Sequence, residues 1–167
     1  MMKRFVNGRL PWLALTVLVA DQVTKRVISQ VLPIDGITVV IPGLFNLVHT
    51  DNRGVAFGIL ADAHSPWVAS LLIAFSLAVM CLLAWLLVSD RIPGQMGQIG
   101  AALILGGAAG NVFDRLLHHS VVDFLDFHIH GYHWPAFNVA DSAIVIGGGL
   151  IVLSLLGEQR ETATGKV

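Results

Sequence analysis

Two aspartates, Asp123 and Asp141, flank a short segment between two long apolar stretches of a mostly hydrophobic chain. A carboxylate near the hydrocarbon region of a bilayer costs roughly 2.5 to 3.5 kcal/mol, so such residues usually mark a reaction centre or an ion pathway. Two carboxyls that meet within a few ångströms share a proton, because they cannot both ionise readily. Such a pair supplies one general base and one general acid, which is enough to activate water.

Each aspartate also has a purely structural interpretation. Asn138 and Asp141 have the spacing of a capping box, in which an N-cap side chain and an acid three residues later satisfy the first N–H groups of a helix. Asp123 follows the predicted end of a helix, where a solvated loop acid would be ordinary. Taken singly, neither residue is distinguished from these structural roles.

The composition indicates an integral membrane protein. Hydrophobic residues make up 55% of the 167 residues and charged residues only 13%, which is well outside the usual range of soluble domains. Residues 66–88 and 93–113 contain no charged residue, and each exceeds the roughly 18 apolar residues that indicate a membrane-spanning helix. The net charge is −1 and there is no basic run, so nucleic acid is not an expected partner.

We predict a single all-α membrane domain over residues 1–167, with four transmembrane helices and a small β-sheet, or cradle, at the outer membrane surface. The sheet is predicted from two β-prone runs, Ile37–Ile41 and residues 44–48, which Pro42 and Gly43 separate. The first helix is polar at its far end, and the fourth is polar at its start. The predicted helices cover about residues 10–31, 66–88, 93–115 and 138–157, and the predicted exoplasmic segments cover about residues 32–65 and 116–137.

The distribution of basic residues sets the predicted orientation. By the positive-inside rule both termini are cytoplasmic, which places the polar helix ends and both connecting segments at the outer face. The two tails and the loop after the second helix hold Lys3, Arg4, Arg9, Arg91, Arg160 and Lys166, whereas the opposite side offers chiefly Arg53.

Polar residues on the first and third helices have spacings that place them on common faces. Asp21 and Lys25 stand four residues apart with the acid first, which favours an ion pair. Asn111, Asp114 and Arg115 share one face near the outer end of the third helix. That face has two interpretations, a cluster that anchors the helix and a surface that contacts substrate, and both remain open.

Small residues on the third and fourth helices predict that these helices pack closely. Gly106 and Gly110 form a GxxxG pair, and Ala143 and Gly147 form a similar pair on the fourth helix. Because lipid provides no hydrophobic drive for helix association, small residues that let backbones approach are typical of such interfaces.

The second outer segment is rich in histidine, so a metal site has to be considered. His128 and His130 would share one face of a strand, but no HExxH or CxxC pattern accompanies them. We predict no metal site, since a solvated strand face is the simpler interpretation. The titratable residues of this segment are His118, His119, His128, His130, His133, Asp123 and Asp126.

Taken together, the motifs resemble the lipoprotein signal peptidases, or signal peptidase II, the membrane aspartyl peptidases of bacteria. Five blocks occur in the order and at the helix ends that this family has. They are DQVTK at 21–25, NRGVAF at 52–57, GGAAGNVFDR at 106–115, VVDF at 121–124 and FNVADS at 137–142.

The resemblance implies that Asp123 and Asp141 form a catalytic pair. It also implies that the enzyme cuts prolipoproteins just before a diacylglyceryl-modified cysteine, in the bacterial inner membrane and without a cofactor. If the start of the fourth helix stabilises charge on Asp141, that residue is the ionised member. We expect a monomer that contacts substrate and membrane lipid. By resemblance the supporting residues are Asn52, Gly54, Asn111, Arg115, Asn138 and Ala140, and the residues that hold the helices together are Asp21, Lys25 and Asp114.

Two other functions are compatible with parts of the sequence. A small proton- or cation-coupled transporter would use Asp21, Asp114 and Asp141 as a relay and Arg115 as a counter-ion. Against this hypothesis, the acids lie at one interface and are not spaced through the depth of the membrane. A non-catalytic assembly subunit would leave the aspartate pair without a purpose.

Overall fold

The structure is a computed structural model that describes residues 8–54 and 66–163. Its elements are α1 (Arg9–Val31), β1 (Ile37–Ile41), β2 (Phe45–Asn52), α2 (Pro66–Val88), α3 (Gly94–His118), β3 (Val121–Ile129), β4 (Tyr132–His133) and α4 (Val139–Ala163). Apolar helices and a small antiparallel sheet are the membrane fold that the sequence predicted. Part of the NRGVAF block, residues 55–57, lies outside the described residues, as do Lys3, Arg4 and Lys166.

Three of the described helices are long and apolar enough to cross a membrane: Trp67–Val88, Gly94–His118 and Val139–Gln159. The 23 residues of α1 would also span a bilayer by length, and the helix runs without a break through its polar end. Asp21 and Lys25 lower its hydropathy, but both side chains are buried within the protein. Asp21 and Lys25 are therefore kept away from lipid by their contacts with neighbouring helices.

Two helices extend beyond their predicted ends. α4 continues to Ala163 because the polar residues after Gly157 are good helix formers, so the loss of hydrophobicity marks the end of the apolar segment and not the end of the helix. α3 continues to His118 and ends where His119 adopts a left-handed conformation with φ 57°. Residues 116–118 thus belong to α3 and not to the outer segment.

α3 lies at the centre of the helices and packs against α1, α2 and α4. The GxxxG pair faces α1: a side chain at Gly106 would meet the backbone carbonyl of Ala14, and one at Gly110 would meet Asp21 at 2.5 Å. The prediction that this pair brings α3 onto α4 is therefore wrong. Successive helix residues differ by about 100° in direction, so the face toward α4 carries Gly107 instead.

The close packing of α3 and α4 uses a different set of small residues. At Gly107 an added Cβ would collide with the carbonyl oxygen of Ala140, and at Gly100 it would lie 2.5 Å from the carbonyl oxygen of Gly147. Gly147 and Ala143 are buried on α4, as their spacing predicted. This interface fixes the position of the first turn of α4, which holds Asp141.

α2 lies at the edge of the molecule and packs mainly on α3. Large apolar side chains point outward along its length, with Trp67 81%, Leu71 68% and Phe75 67% exposed. Exposure of this kind is expected where lipid, and not water, surrounds a helix.

The sheet has the strand order β1-β2-β3-β4, and all neighbours are antiparallel. The predicted hairpin of β1 and β2 around Pro42 and Gly43 is confirmed. The interpretation of Asp123 as a loop acid is wrong, because Asp123 lies on β3 opposite Thr50 of β2. His130 does not share a strand face with His128, since β3 ends at Ile129 and His130 turns the chain with φ 51°.

Candidate active site

Asp123 and Asp141 approach one another because the chain before α4 pairs with β3. The backbone N–H groups of Phe124 and Leu125 both donate to the carbonyl oxygen of Phe137, at 3.1 and 2.8 Å, and Phe137 donates back to Leu125 at 3.2 Å. This bridge places the first turn of α4 beside β3. The Asp123 carboxyl is 3% exposed, and Asp141 is partly buried.

Asn138 links the two aspartates. Its side-chain Nδ2 donates to Oδ1 of Asp123 at 2.7 Å, and its Oδ1 accepts from the backbone N–H of Asp141 at 2.9 Å. In return, Oδ2 of Asp141 accepts from the backbone N–H of Asn138 at 3.2 Å. The predicted capping box is thus confirmed, and the residue that caps α4 also holds the Asp123 carboxyl.

The remaining carboxylate oxygens are bound by two further asparagines. Nδ2 of Asn111 donates to Oδ1 of Asp141 at 2.9 Å. Nδ2 of Asn52, on the same face of the sheet as Asp123 and diagonal to it, donates to Oδ2 of Asp123 at 2.9 Å. The Asn52 amide is oriented by its own loop, because Oδ1 accepts from the N–H of Gly54 at 2.9 Å.

Arg115 connects α3 to the chain after β2. Its Nη2 donates to the carbonyl oxygen of Gly54 at 3.2 Å, and its Nη1 donates to the carbonyl oxygen of Asn111 at 3.4 Å. The guanidinium is the cation nearest to the aspartate pair among the residues that line the cavity described next. It offsets part of their negative charge.

A cavity of about 400 Å³ opens over the two aspartates. Its polar end is formed by Asn52, Asn111, Arg115, Asp123 and Asp141, which are five of the residues that the sequence predicted. Three others do not line it: Asn138 and Ala140 are fully buried, and Gly54 lies behind Arg115.

The apolar side of the cavity was missed by the sequence analysis. Residues 134–137 form one wall, and Ile144, Val145 and Ile146 of α4 form another. The signal that indicates this wall is the Trp134-Pro135 pair directly before the capping box, since proline keeps the preceding chain extended beside the helix start. A peptide flanked by apolar groups is the kind of ligand that such a cavity accommodates.

The electrostatics of the site favour the protonated form of Asp123. Burial of the side chain, together with the negative charge of Asp141, raises the pKa of Asp123 to about 7. The N–H groups of Asn52 and Asn138 favour the ionised form and offset only part of this effect. Asp123 therefore keeps its proton to a higher pH than an ordinary carboxyl, as one member of a proton-sharing pair should.

Behind the aspartates, a buried polar cluster ties α1 to α3. The Nζ of Lys25 lies 2.7 Å from Oδ2 of Asp21 and 2.7 Å from Oδ2 of Asp114, so the predicted Asp21 pairing is confirmed and a second partner is added. Gln22 donates to Oδ1 of Asp114 at 2.8 Å. Oδ1 of Asp21 accepts from the N–H of Ala140 at 2.9 Å, which also ties α1 to the start of α4.

The histidines of the second outer segment lie apart from this site. His133 contacts Asp126 at 2.8 Å, and its ring stacks on that of His128 with centroids 4.7 Å apart. His118 and His119 are exposed at the end of α3. Within residues 8–54 and 66–163, no group of three or more His, Cys, Asp or Glu residues has the arrangement of a metal site.

Comparisons with known proteins identify relatives of this chain. Residues 13–157 match the family model described as Signal peptidase (SPase) II. The chain is 44% identical over 143 residues to the lipoprotein signal peptidase of Solibacter usitatus, covering 86% of this chain and 87% of the relative. It is 46% identical over 157 residues to that of Ralstonia nicotianae, covering 92% and 88%.

Two solved structures have the same fold. A bacterial membrane enzyme determined at 2.3 Å by the in meso method superposes with a TM-score of 0.83 at 33% identity, covering 98% of this chain and 95% of the other. A second bacterial membrane enzyme, determined at 1.9 Å, gives a TM-score of 0.81 at 32% identity, covering 93% and 97%.

Proposed function

The chain belongs to the signal peptidase II family, and from this premise we propose that Asp123 and Asp141 are the catalytic pair with which it cleaves signal peptides from prolipoproteins. The protein is a peptidase of bacterial membranes, as its family membership and apolar helices establish. The observation that carries the proposal is that Asn138 bonds both carboxyls at the polar end of the cavity, the Asp123 carboxyl through its side chain and the Asp141 carboxyl through its backbone N–H.

In the proposed mechanism the two carboxyls have different tasks. Asp141 is ionised, because Asn111 and the backbone at the start of α4 donate hydrogen bonds to its oxygens, and it accepts a proton from the attacking water. Asp123 carries the shared proton and donates a hydrogen bond to the scissile carbonyl oxygen. When the tetrahedral intermediate breaks down, the leaving nitrogen receives a proton from the pair.

The surroundings of Asp123 suit the acid role. Each of its oxygens accepts one amide N–H, from Asn52 and Asn138, so the carboxyl is held in one orientation. Its proton occupies the remaining lone-pair position beside the cavity. Arg115, which also lines the cavity, stabilises the negative charge that develops on the substrate oxygen.

We further propose that the substrate is a prolipoprotein cut just before its diacylglyceryl-modified cysteine. The polar end of the cavity would hold the scissile bond, while the apolar walls from residues 134–137 and from α4 face the lipid-linked side. Val145 and Ile146 are 75% and 57% exposed, so this wall is continuous with the lipid-facing surface of α4. Acyl chains can therefore stay in the bilayer while the peptide bond meets water.

The proposed topology has four spans, with both termini in the cytoplasm and the active site at the outer face of the bacterial inner membrane. Burial of Asp21 and Lys25 supports α1 as the fourth span, since these two charged groups contact protein instead of lipid. We also propose that the substrate enters laterally between helices and that the protein works as a monomer.

A cleavage assay tests the function directly. The purified protein in detergent or vesicles is incubated with a prolipoprotein that carries the diacylglyceryl cysteine, and with the same prolipoprotein lacking the lipid. Cleavage of the lipid-modified substrate alone, just before its cysteine and unaffected by chelator, is the expected result. Ion flux in vesicles without cleavage would instead support the transporter hypothesis, which the relatives do not favour.

The activity is expected to fall as the pH rises through about 7, because Asp123 has to be protonated and its raised pKa lies there. Replacing Asn52 with alanine removes an N–H that stabilises the ionised form, so the pKa of Asp123 rises and the basic limb moves to higher pH. The dependence of kcat on pH between about 5 and 9 measures both effects. A basic limb that moves to lower pH in Asn52→Ala would contradict the assignment of Asp123 as the acid.

A further inference from the structure

Lys25 lies deep between α1 and α3, where its ammonium group is surrounded by oxygen atoms. Three of them lie within hydrogen-bonding distance of Nζ: Oδ2 of Asp21 and of Asp114, each at 2.7 Å, and Oδ1 of Asn111 at 3.0 Å. The side chain is 4% exposed. An ammonium group has three N–H donors and no acceptor, and here it donates a hydrogen bond to Asn111 and forms ion pairs with the two carboxylates.

Asn111 joins this cluster to the active site through the two ends of one amide. Its Oδ1 faces Lys25, and its Nδ2 donates to Oδ1 of Asp141 at 2.9 Å. The only other polar group bonded to Oδ1 in the described part of the chain is Nδ2 of Asn138, at the longer distance of 3.4 Å. The charged donor is thus the stronger partner of this oxygen.

An asparagine amide can turn over, which exchanges its donor and acceptor ends with little change of shape. If Asn111 turned over, its NH₂ group would face the ammonium of Lys25 and its oxygen would face the carboxylate of Asp141. Both contacts would then be repulsive. With Lys25 in place, only the orientation that presents an N–H to Asp141 is stable.

We propose that Lys25 is a positioning residue that fixes the direction of the Asn111 amide and thereby presents a hydrogen-bond donor to the catalytic Asp141. The inference rests on the proposed function of the aspartate pair. It assigns Lys25 a role in the reaction beyond holding α1 and α3 together, although Lys25 itself touches no reacting atom. Asp21 and Asp114 are then the counter-ions that hold the ammonium in place.

Removing Lys25 alone would leave two buried carboxylates without a cation, so that variant can fail to fold. The test therefore uses Lys25→Met together with Asp114→Asn, which keeps the net charge of this cluster at −1, as in the parent with one ammonium and two carboxylates. The amide oxygen that Asp114→Asn introduces can still accept the hydrogen bond from Gln22. The matched control is Asp114→Asn alone, in which Lys25 remains on Asn111.

The cleavage rate of lipid-modified prolipoprotein is measured for the parent, the control and the paired variant, with a thermal unfolding midpoint for each. The paired variant is expected to lose about 10- to 100-fold in kcat, with little change in KM, because the donor to Asp141 is no longer fixed in place. The control should retain most of the parent's kcat, because Lys25 still faces Asn111.

A third variant adds Asn111→Ala to the paired change. If Lys25 acts through Asn111, replacing Lys25 lowers kcat no further once Asn111 is alanine. The effects of the Lys25 and Asn111 substitutions on kcat then do not multiply. Effects on kcat that multiply, or a folded paired variant whose kcat equals that of the parent, would overturn the inference. A parent protein that cleaves no prolipoprotein would instead overturn the proposed function, so the two failures are distinguishable.

Discussion

Replacing Asp123 or Asp141 with asparagine is expected to lower the rate of prolipoprotein cleavage by a factor of about 10³ or more, while the protein stays folded. Asparagine has nearly the same shape, and its oxygen can still accept one of the hydrogen bonds that each carboxylate now receives. It cannot take a proton from water or give one to the substrate. The measurement is the single-turnover rate with lipid-modified prolipoprotein, alongside the thermal unfolding midpoint.

The two substitutions should not be additive. A proton-sharing pair works as a unit, so the double variant should be about as slow as either single variant. The matched control is Asp51→Asn, an exposed carboxyl on β2 next to Asn52, which should stay within about twofold of the parent. Substantial activity in a folded single variant, above about a tenth of the parent's, would rule out this pair as the catalytic centre.

Replacing Gly107 with alanine is expected to have the second largest effect, although Gly107 is not among the residues that line the cavity. An added Cβ would collide with the carbonyl oxygen of Ala140 and lie 3.1 Å from Cγ1 of Ile144. A backbone carbonyl cannot rotate away as a flexible side chain would, so α4 has to move. Asp141 follows Ala140 directly and would move with it.

A displacement of about 1 Å in a catalytic group can cost about 10²-fold in rate, and overpacking of this kind costs about 1 to 3 kcal/mol of stability. We expect kcat to fall by about that factor and the unfolding midpoint to drop. Gly149→Ala is the control, because no atom lies within 4 Å of a Cβ built there and alanine favours a helix. Equal behaviour of the two variants would show that the α3–α4 distance does not set the geometry of the pair.

The membrane class, the hairpin and the polar residues of the site follow from local patterns in the sequence. Asp21 and Lys25 are four residues apart on one helix, and Asn138 and Asp141 have the spacing of a capping box, so both contacts are encoded within one helical turn. The structure contains both. Such pairs can be predicted because neither depends on how distant segments of the chain meet.

Contacts between distant segments could not be predicted in this way. Asp123 lies on a strand because Val121–Ile129 pairs with β2, about 75 residues earlier in the chain. The Val, Phe and Ile residues of this run favour a strand, but only its pairing with β2 shows that Asp123 lies within that strand. The helix that the GxxxG pair contacts could not be predicted either, since the spacing identifies a helix face but not the helix that packs against it.

The four helices differ in how firmly they are held. Polar contacts join α1, α3 and α4 around Lys25, Asn111 and Asp21, whereas no described residue of α2 lines the cavity. α2 therefore forms no wall of the cavity. We expect it to be the helix whose tilt changes most readily between bilayers of different thickness, because such a change alters no contact made by a residue of α2 with the cavity.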